Sequence, residues 1–390
     1  ICSTNGLLGG PNATLLFPHI GERSNMGISV FAVAAPSFNG IIIGNASSSG
    51  NLNNFENQDF GIYNKFSNMK VFNCNFQNMT GVVFPPSPLT APQKGTGIYA
   101  KVENQKIFIG DVNINQGNTF TDTYRAIQLD GLKNTGGFWV KGNNINNTNN
   151  GIFPNLLANH GVLISYTYGI NPLVRVNNNT INGCGTAIHL VSTNPMQNVQ
   201  VNNNTITSSG PVTMQYGIFC EETGTSSIVP NTTFFIRDNS ITNATNGIRL
   251  RNIRAVALID VFSNDIFMNN NVALLKRGIW VEGSRNAFVR ENTITNSGTT
   301  TNTNIRGIDV GALSQNTRVI SNTVDNCGTG IRSFGNNANS VFYCNKMTDC
   351  YHGIRLEVTT IAASQGGVGV PSDNQWIGSF GVLDMYEVPP

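Results

Sequence analysis

An asparagine two positions ahead of an apolar residue, answered by a small residue and isoleucine, recurs along this chain and constrains its fold more than any other feature. The first half of the pattern is Asn118-Thr-Phe120, Asn179-Thr-Ile181, Asn204-Thr-Ile206, Asn239-Ser-Ile241, Asn264-Asp-Ile266, Asn292-Thr-Ile294, Asn322-Thr-Val324 and Asn345-Lys-Met347. The second half is Ala126-Ile127, Gly151-Ile152, Ala187-Ile188, Gly217-Ile218, Gly247-Ile248, Gly278-Ile279, Gly307-Ile308, Gly330-Ile331 and Gly353-Ile354. The step between the halves is 7 residues from Phe120, Ile145, Ile181, Ile241, Val324 and Met347. It lengthens to 12, 13 and 14 after Ile206, Ile266 and Ile294, where the added residues are polar or loop-like. Successive small-Ile anchors lie 23 to 36 residues apart, with both shortest steps between Ile308, Ile331 and Ile354. A base period of 23 with insertions at particular corners is the mark of a solenoid.

Around the anchors apolar and polar residues alternate, as in Leu173-Val-Arg-Val176, Ile188-His-Leu190 and Ile354-Arg-Leu356. Period 2 with β-branched residues predicts short strands. Asn, Gly and Ser follow each one and turn the chain. Three such strands per repeat make one coil of a parallel β-helix, with alternate side chains filling a narrow core. The fold class is therefore all-β, a solenoid of about a dozen coils at a rise of roughly 4.8 Å.

Composition agrees with this. Asn is 59 of 390 residues and Gly 41, while charged residues make up only 11%. Stacked coils bring equivalent carboxamides close enough for each to donate to the next and accept from the one before. Asn179, Asn204, Asn239, Asn264, Asn292, Asn322 and Asn345 are expected to form such a ladder. Asparagine also tolerates the left-handed backbone of sharp corners. A net charge of +2 argues against a nucleic-acid partner. No apolar run reaches the roughly 18 residues of a membrane span.

The V-x-x-N-x-I pattern followed by Gly-Ile resembles the repeats of right-handed parallel β-helices of the pectate-lyase-like superfamily, from about Gly27-Ile28 to Glu357. The closing stretch Asp373-Asn374-Gln375-Trp376-Ile377-Gly378 is similar to a motif of large bacterial cell-surface proteins exported by the type IX route. The resemblance implies a right-handed helix and an extracellular or cell-surface location. It implies no single chemistry, because the superfamily holds lyases, hydrolases, tailspikes and adhesins.

Along the chain, residues 1–26 read as an entry segment or truncated coil and 27–358 as the β-helix. Residues 359–390 read as a loop leading to a cap or the next module. Pro85 to Pro92 is a loop, since proline cannot sustain a central ladder. The opening Ile1-Cys2-Ser3-Thr4 has neither Met nor signal peptide, so the chain reads as a piece of something longer. Among the seven cysteines, Cys184, Cys327 and Cys350 share one repeat position and Cys74 and Cys344 another. They read as small core fillers, and no Cys327–Cys350 bridge is expected.

Taking the anchor isoleucine as inward, the next residue points outward, giving Gln128, Phe153, His189, Phe219, Arg249, Trp280, Asp309, Arg332 and Arg355. A second outward position adds Asp130, Glu221, Arg251, Glu282 and Glu357. In this set Trp280, Arg332, Arg355 and Glu357 are the candidate glycan-binding residues, with an indole to stack on a sugar and guanidinium groups to hold carboxylates. Asp309, Glu282 and Arg332 are the candidates for catalysis, with two carboxylates across a cleft as inverting hydrolysis requires. The competing reading is a solvated face whose opposite charges alternate from coil to coil.

Motifs for enzymatic work are missing. There is no pair of neighbouring aspartates for calcium, and the nearest thing to a Gly-His-Gly is Tyr351-His352-Gly353. His19, His160 and His189 are scattered without metal spacing. No cofactor and no metal are expected; calcium has no motif to hold it. The leading expectation is a non-catalytic extracellular module of a large bacterial surface protein, a stalk, adhesin or appendage subunit. Its partners would be a surface glycan or further copies of itself. The alternatives are a polysaccharide lyase or glycoside hydrolase acting on an acidic glycan, or glycan binding without turnover.

Overall fold

The computed structural model describes residues 7–8, 26–31, 41–44, 53–79, 95–103, 105–111, 117–131, 136–147, 159–166, 173–193, 198–209, 214–223, 229–254, 256–269, 275–298, 301–362, 364–365, 372–380 and 383–388. Every element among them is a strand, and every strand pairing is parallel. Counted over the described residues, the strands fall into sheets of 12, 12 and 13, the dozen coils of a right-handed parallel β-helix. Two compact units divide the chain: Ile1–Asn194 with Asn203–Val212, and Pro195–Asn202 with Thr213–Pro390.

In the first unit a coil runs through strands such as Leu173–Asn177, Thr180–Asn182 and Thr186–Ser192, one in each sheet. The Asn-x-apolar anchors are in register: Phe55, Phe76, Phe120, Ile145, Ile181 and Ile206 form one inward column. The phenylalanines stack face to face, Phe55 on Phe76 and Phe76 on Phe120, each with centroids 4.8 Å apart and planes 8° apart. Ile98, Ile127, Val162 and Ile188 form a second inward column. The coil between Ile127 and Ile188 is thus anchored on Val162 of strand His160–Tyr166; Gly151-Ile152 and Phe153 lie outside the described residues. Leu163 occupies the outward place expected for Phe153, between Gln128 and His189.

The second unit repeats the plan. Ile241, Ile266, Ile294, Val324, Met347 and Trp376 align, as do Ile218, Ile248, Ile279, Ile308, Ile331 and Ile354. Pairing continues beyond Thr359, with Gln375–Ile377 on Lys346–Thr348 and Leu383–Val388 alongside strand His352–Thr360. Each fully buried isoleucine adds about 2–3 kcal/mol of hydrophobic stabilisation. The small residue before each anchor is a steric requirement. A Cβ on Gly278 would stand 2.5 Å from the Ile294 side chain and 2.7 Å from the Gly307 carbonyl of the next coil.

The carboxamide ladder is present in both units. In the first, Asn118 Nδ2 donates to Asn143 Oδ1 at 2.9 Å, Asn143 to Asn179 at 3.0 Å and Asn179 to Asn204 at 3.0 Å. In the second it runs Asn239, Asn264, Asn292, Asn322, Asn345, Asn374 at 2.9 to 3.1 Å. Each backbone N–H also donates to the same Oδ1 of the following coil, as Asn264 N does to Asn292 at 3.0 Å. Asn118, Asn143 and Asn374 extend the ladder beyond the seven residues expected to form it.

Asparagine serves the left-handed corners as expected, at Asn178, Asn203, Asn243 and Asn326 among others. The ladder residues are not left-handed themselves; the corner is the residue before. Asn178, Asn203, Asp238, Ser263, Glu291, Ser321, Cys344 and Asp373 all have φ between 37° and 56°. Hydrogen bonding and corner geometry are thus divided between neighbours, and only the first demands a carboxamide. The shared position assigned to Cys74 and Cys344 is corrected. Register aligns Phe76 with Phe120, so Cys74 occupies a ladder place and its N–H donates to Asn118 Oδ1, whereas Cys344 is an exposed left-handed corner. Cys184, Cys327 and Cys350 are buried and unbridged.

Candidate functional site

The outward column of the small-Ile sheet in the second unit gathers most of the candidate residues. Register places Phe219, Arg249, Trp280, Asp309, Arg332 and Arg355 one above another on successive coils. They meet two arginines that sequence reasoning missed, Arg277 and Arg306. These are in register with each other, two residues ahead of their anchor isoleucines. The signal for them was available, because Lys276-Arg277-Gly278 and Ile305-Arg306-Gly307 put a cation immediately before the small residue in consecutive repeats.

Asp309 is the centre of this arrangement. Its carboxylate accepts from Arg277 Nε at 2.6 Å and Arg306 Nη1 at 2.8 Å on Oδ2, and from Arg332 Nη1 at 3.2 Å on Oδ1. Its side chain is 1% exposed. Burial alone would raise the carboxyl's pKa, but Arg306, Arg277 and Arg332 outweigh it and hold the group below the usual carboxylate range. Arg332 continues to Glu357 through Nε at 2.8 Å and through Nη2, and Arg355 Nε stands 2.5 Å from the other Glu357 oxygen. Glu282 accepts from Arg249 Nε at 3.2 Å and Nη2 at 2.5 Å, and Arg249 Nη1 donates to the Tyr216 hydroxyl at 2.7 Å. Arg251 pairs with Glu221 in the neighbouring outward column.

Trp280 lies inside the network. The guanidinium carbons of Arg277 and Arg249 stand 3.6 and 3.8 Å from its ring centre. Carbon atoms pack at about 3.5–4.0 Å, so two such groups cannot share one face of the ring. They lie on opposite faces, and the indole is sandwiched between cations. The stacking surface that makes Trp280 a sugar candidate is covered by arginine. The competing picture of a freely solvated face also changes, since Arg277, Arg306 and Arg332 are only 12 to 13% exposed.

A second polar cluster occupies the outward side of the same kind of sheet in the first unit. Arg125 Nη1 donates to Gln128 Oε1 at 2.8 Å, Gln128 Nε2 to Asp130 Oδ2 at 3.2 Å, and Ser165 Oγ to Asp130 Oδ1 at 2.5 Å. Burial pushes the Asp130 carboxyl up to about 6, against the opposing hydrogen bonds of Ser165, Tyr99 and Gln128 and the charge of Arg125. Burial also brings Arg125 down to about 10. His160 and His189, scattered in sequence, are brought together: their rings stack 5.2 Å apart, and Nε2 of the first is 3.1 Å from Nδ1 of the second. One of them donates to the other, so the contact is a hydrogen bond between imidazoles.

Compared with known families, residues 203–364 match the model described as periplasmic copper-binding protein (NosD). Searches of curated proteins and of solved structures gave no match. The match overturns the expectation that no cofactor is involved, because the matching family is described as copper-binding. Among the described residues no group of three His, Cys, Asp or Glu converges. Within the matched segment burial pushes the Cys350 thiol up to about 12 and raises Cys327 well above its ordinary value, so both stay protonated. No helix among the described residues is long and apolar enough to cross a membrane.

Proposed function

We propose that this chain is a non-catalytic β-helix module that works outside the cytoplasm, in the cell envelope or at the cell surface, as a stiff structural or adhesive element. The observation that carries the reading is the state of the outward carboxylates in the second unit. Asp309, Glu282 and Glu357 are each engaged by at least one guanidinium at hydrogen-bonding distance. A general acid must hold its proton near the working pH; Asp309, with its pKa held low by three arginines, does the opposite. The same charges hold adjacent coils together, which suits a load-bearing element. The likeness of residues 203–364 to a periplasmic family supports an envelope location. The similarity of Asp373-Asn374-Gln375-Trp376-Ile377-Gly378 to a surface-protein motif supports export by the type IX route and a surface position.

Incubation with a panel of polyuronates, followed by ultraviolet absorbance for unsaturated products and a reducing-end assay, tests the proposal. No product is expected. Turnover that disappears in Asp309→Ala would overturn the reading in favour of a lyase or hydrolase.

A further inference from the structure

We propose that Arg277 and Arg306 form an oxyanion clamp, a binding site for a sulfate, phosphate or carboxylate group, free or carried on a polysaccharide. Three observations carry it. The two guanidinium groups come from residues directly opposite each other on consecutive coils, about 4.8 Å apart. Like charges directly opposite across a parallel ladder destabilise it unless something compensates. The compensation inside the protein is a single oxygen, Asp309 Oδ2, which both arginines share at 2.6 and 2.8 Å.

The remaining donors are the second observation. Arg277 spends Nε on Asp309 and Nη1 on Asn246 Oδ1 at 3.4 Å; Arg306 spends Nε on the Thr303 carbonyl at 3.3 Å and Nη1 on Asp309. Among the described residues Nη2 of each has no acceptor. Neither stands among the fully buried atoms that lack a partner, so each keeps some contact with solvent. Two amino groups one coil apart suit the spread of oxygens on one trigonal or tetrahedral oxyanion.

The third observation is pre-organisation. Trp280 presses on the Arg277 guanidinium at 3.6 Å, and Asp309 fixes both arginines from behind. The clamp's loss of side-chain freedom therefore precedes binding, as tight recognition requires. Burial is the largest influence lowering the Arg277 pKa, and the neighbouring positive charges of Arg306 and Arg249 push the same way. An arriving anion relieves that crowding. In this arrangement Trp280 and Asp309 are positioning residues, not contacts for the ligand.

The test is calorimetric titration and thermal melting of the whole chain with sodium sulfate, sodium phosphate, dextran sulfate and polygalacturonate. Neutral dextran, and chloride at matched ionic strength, serve as references. Three proteins are compared: the parent, Arg306→Ala, and Arg318→Ala, which removes an equal charge from an exposed position on another sheet. The parent is expected to bind and to melt higher with at least one oxyanion, and Arg306→Ala to bind at least tenfold more weakly. Arg318→Ala should match the parent. Without added anion Arg306→Ala should melt lower than the parent, because it takes a hydrogen bond and a compensating charge from buried Asp309; the readout that a merely structural arginine would not move is the rise in melting point on adding the anion, present in the parent and absent in Arg306→Ala. Binding of the inorganic salts identifies small anions as the source, and binding of the polymers alone identifies a glycan. No response beyond chloride, equal binding by Arg306→Ala, or an equal loss in Arg318→Ala would overturn the clamp. Polyuronate turnover would overturn the non-catalytic reading and leave this binding comparison intact.

Discussion

Replacing Asn292 by alanine should be among the most damaging single changes available to this chain. Asn292 is buried in the middle of the second unit's ladder. Its Nδ2 donates to Val261 O, Arg290 O and Asn322 Oδ1, each at 2.9 Å, and its Oδ1 accepts from Asn264 N at 3.0 Å and Asn264 Nδ2 at 2.9 Å. Two hydrogens and one oxygen carry these contacts, so they amount to about four full hydrogen bonds, worth roughly 1 kcal/mol each. Alanine also leaves the Asn264 N–H buried without an acceptor, adding about 1–2 kcal/mol. The expected loss is about 5–6 kcal/mol, read as a shift in the guanidinium midpoint by circular dichroism. Asn316→Ala is the reference, since Asn316 is exposed and reaches Asn286 at 3.2 Å, and should cost about 0.5 kcal/mol or less. Asn292→Asp sharpens the test. The aspartate would turn an oxygen toward the oxygens of Val261, Arg290 and Asn322, so its folded pKa would rise above the unfolded value of about 3.9. Its stability is then greatest below that value and falls as pH rises, making the variant weaker at pH 8 than at pH 4.5. A loss in Asn292→Ala no larger than in Asn316→Ala would refute the ladder as a source of stability.

Three further outcomes follow from particular contacts. Gly278→Val should cost at least about 3 kcal/mol in a denaturant titration, because the new side chain meets Ile294 and the Gly307 carbonyl well inside van der Waals contact. Asp130, raised to about 6 in the folded protein against about 3.9 unfolded, contributes stability that is complete below pH 4 and lost as pH rises through 6. That amounts to about 3 kcal/mol, and Asp130→Asn should flatten the pH profile between 4 and 7; an unchanged slope would refute the assignment. Among the described cysteines, iodoacetamide should label exposed Cys344 first in the native state, while Cys74 and Cys184, raised to about 12 by burial, react only on unfolding, as peptide mass spectrometry would show.

The fold was legible because its period is written in residues that have no substitute. The Gly at 247, 278 and 307 and the Asn at 264, 292 and 322 occupy places where neighbouring coils leave no room or leave donors and acceptors to satisfy. Asn143 and Asn374 were equally legible, since Asn143-Asn-Ile145 and Asn374-Gln-Trp376 carry the same Asn-x-apolar wording. The coil on Val162 escaped the reading because Gly151-Ile152 sits seven residues after Ile145 and imitates the anchor, while Gly161-Val162 carries it. The outward columns could be listed from sequence, but what they do could not. Spacing says that Arg249 and Trp280 are neighbours; it does not say that the cation covers the ring. Nor does it say that His160 meets His189, since His160 is in register with Thr186 and His189 with Leu163, and the two belong to different columns.

The two polar columns of the second unit obey one constraint and answer it differently. A parallel solenoid places each residue beside its own counterpart on the next coil. A carboxamide satisfies this arrangement alone, because it donates on one side and accepts on the other, and so Asn can follow Asn through six coils. A charged side chain that follows its like needs an acid beside it. In the outward column Asp309 sits beside Arg332, and where Arg355 follows Arg332 the two divide the oxygens of Glu357 between them. Arg277 and Arg306 also follow one another, but both lean on one oxygen of a carboxylate already shared three ways. In a chain with 23 basic and 21 acidic residues such a pairing is not forced by a surplus of cations. The exception is best understood as a place where the next negative charge is meant to come from outside the chain.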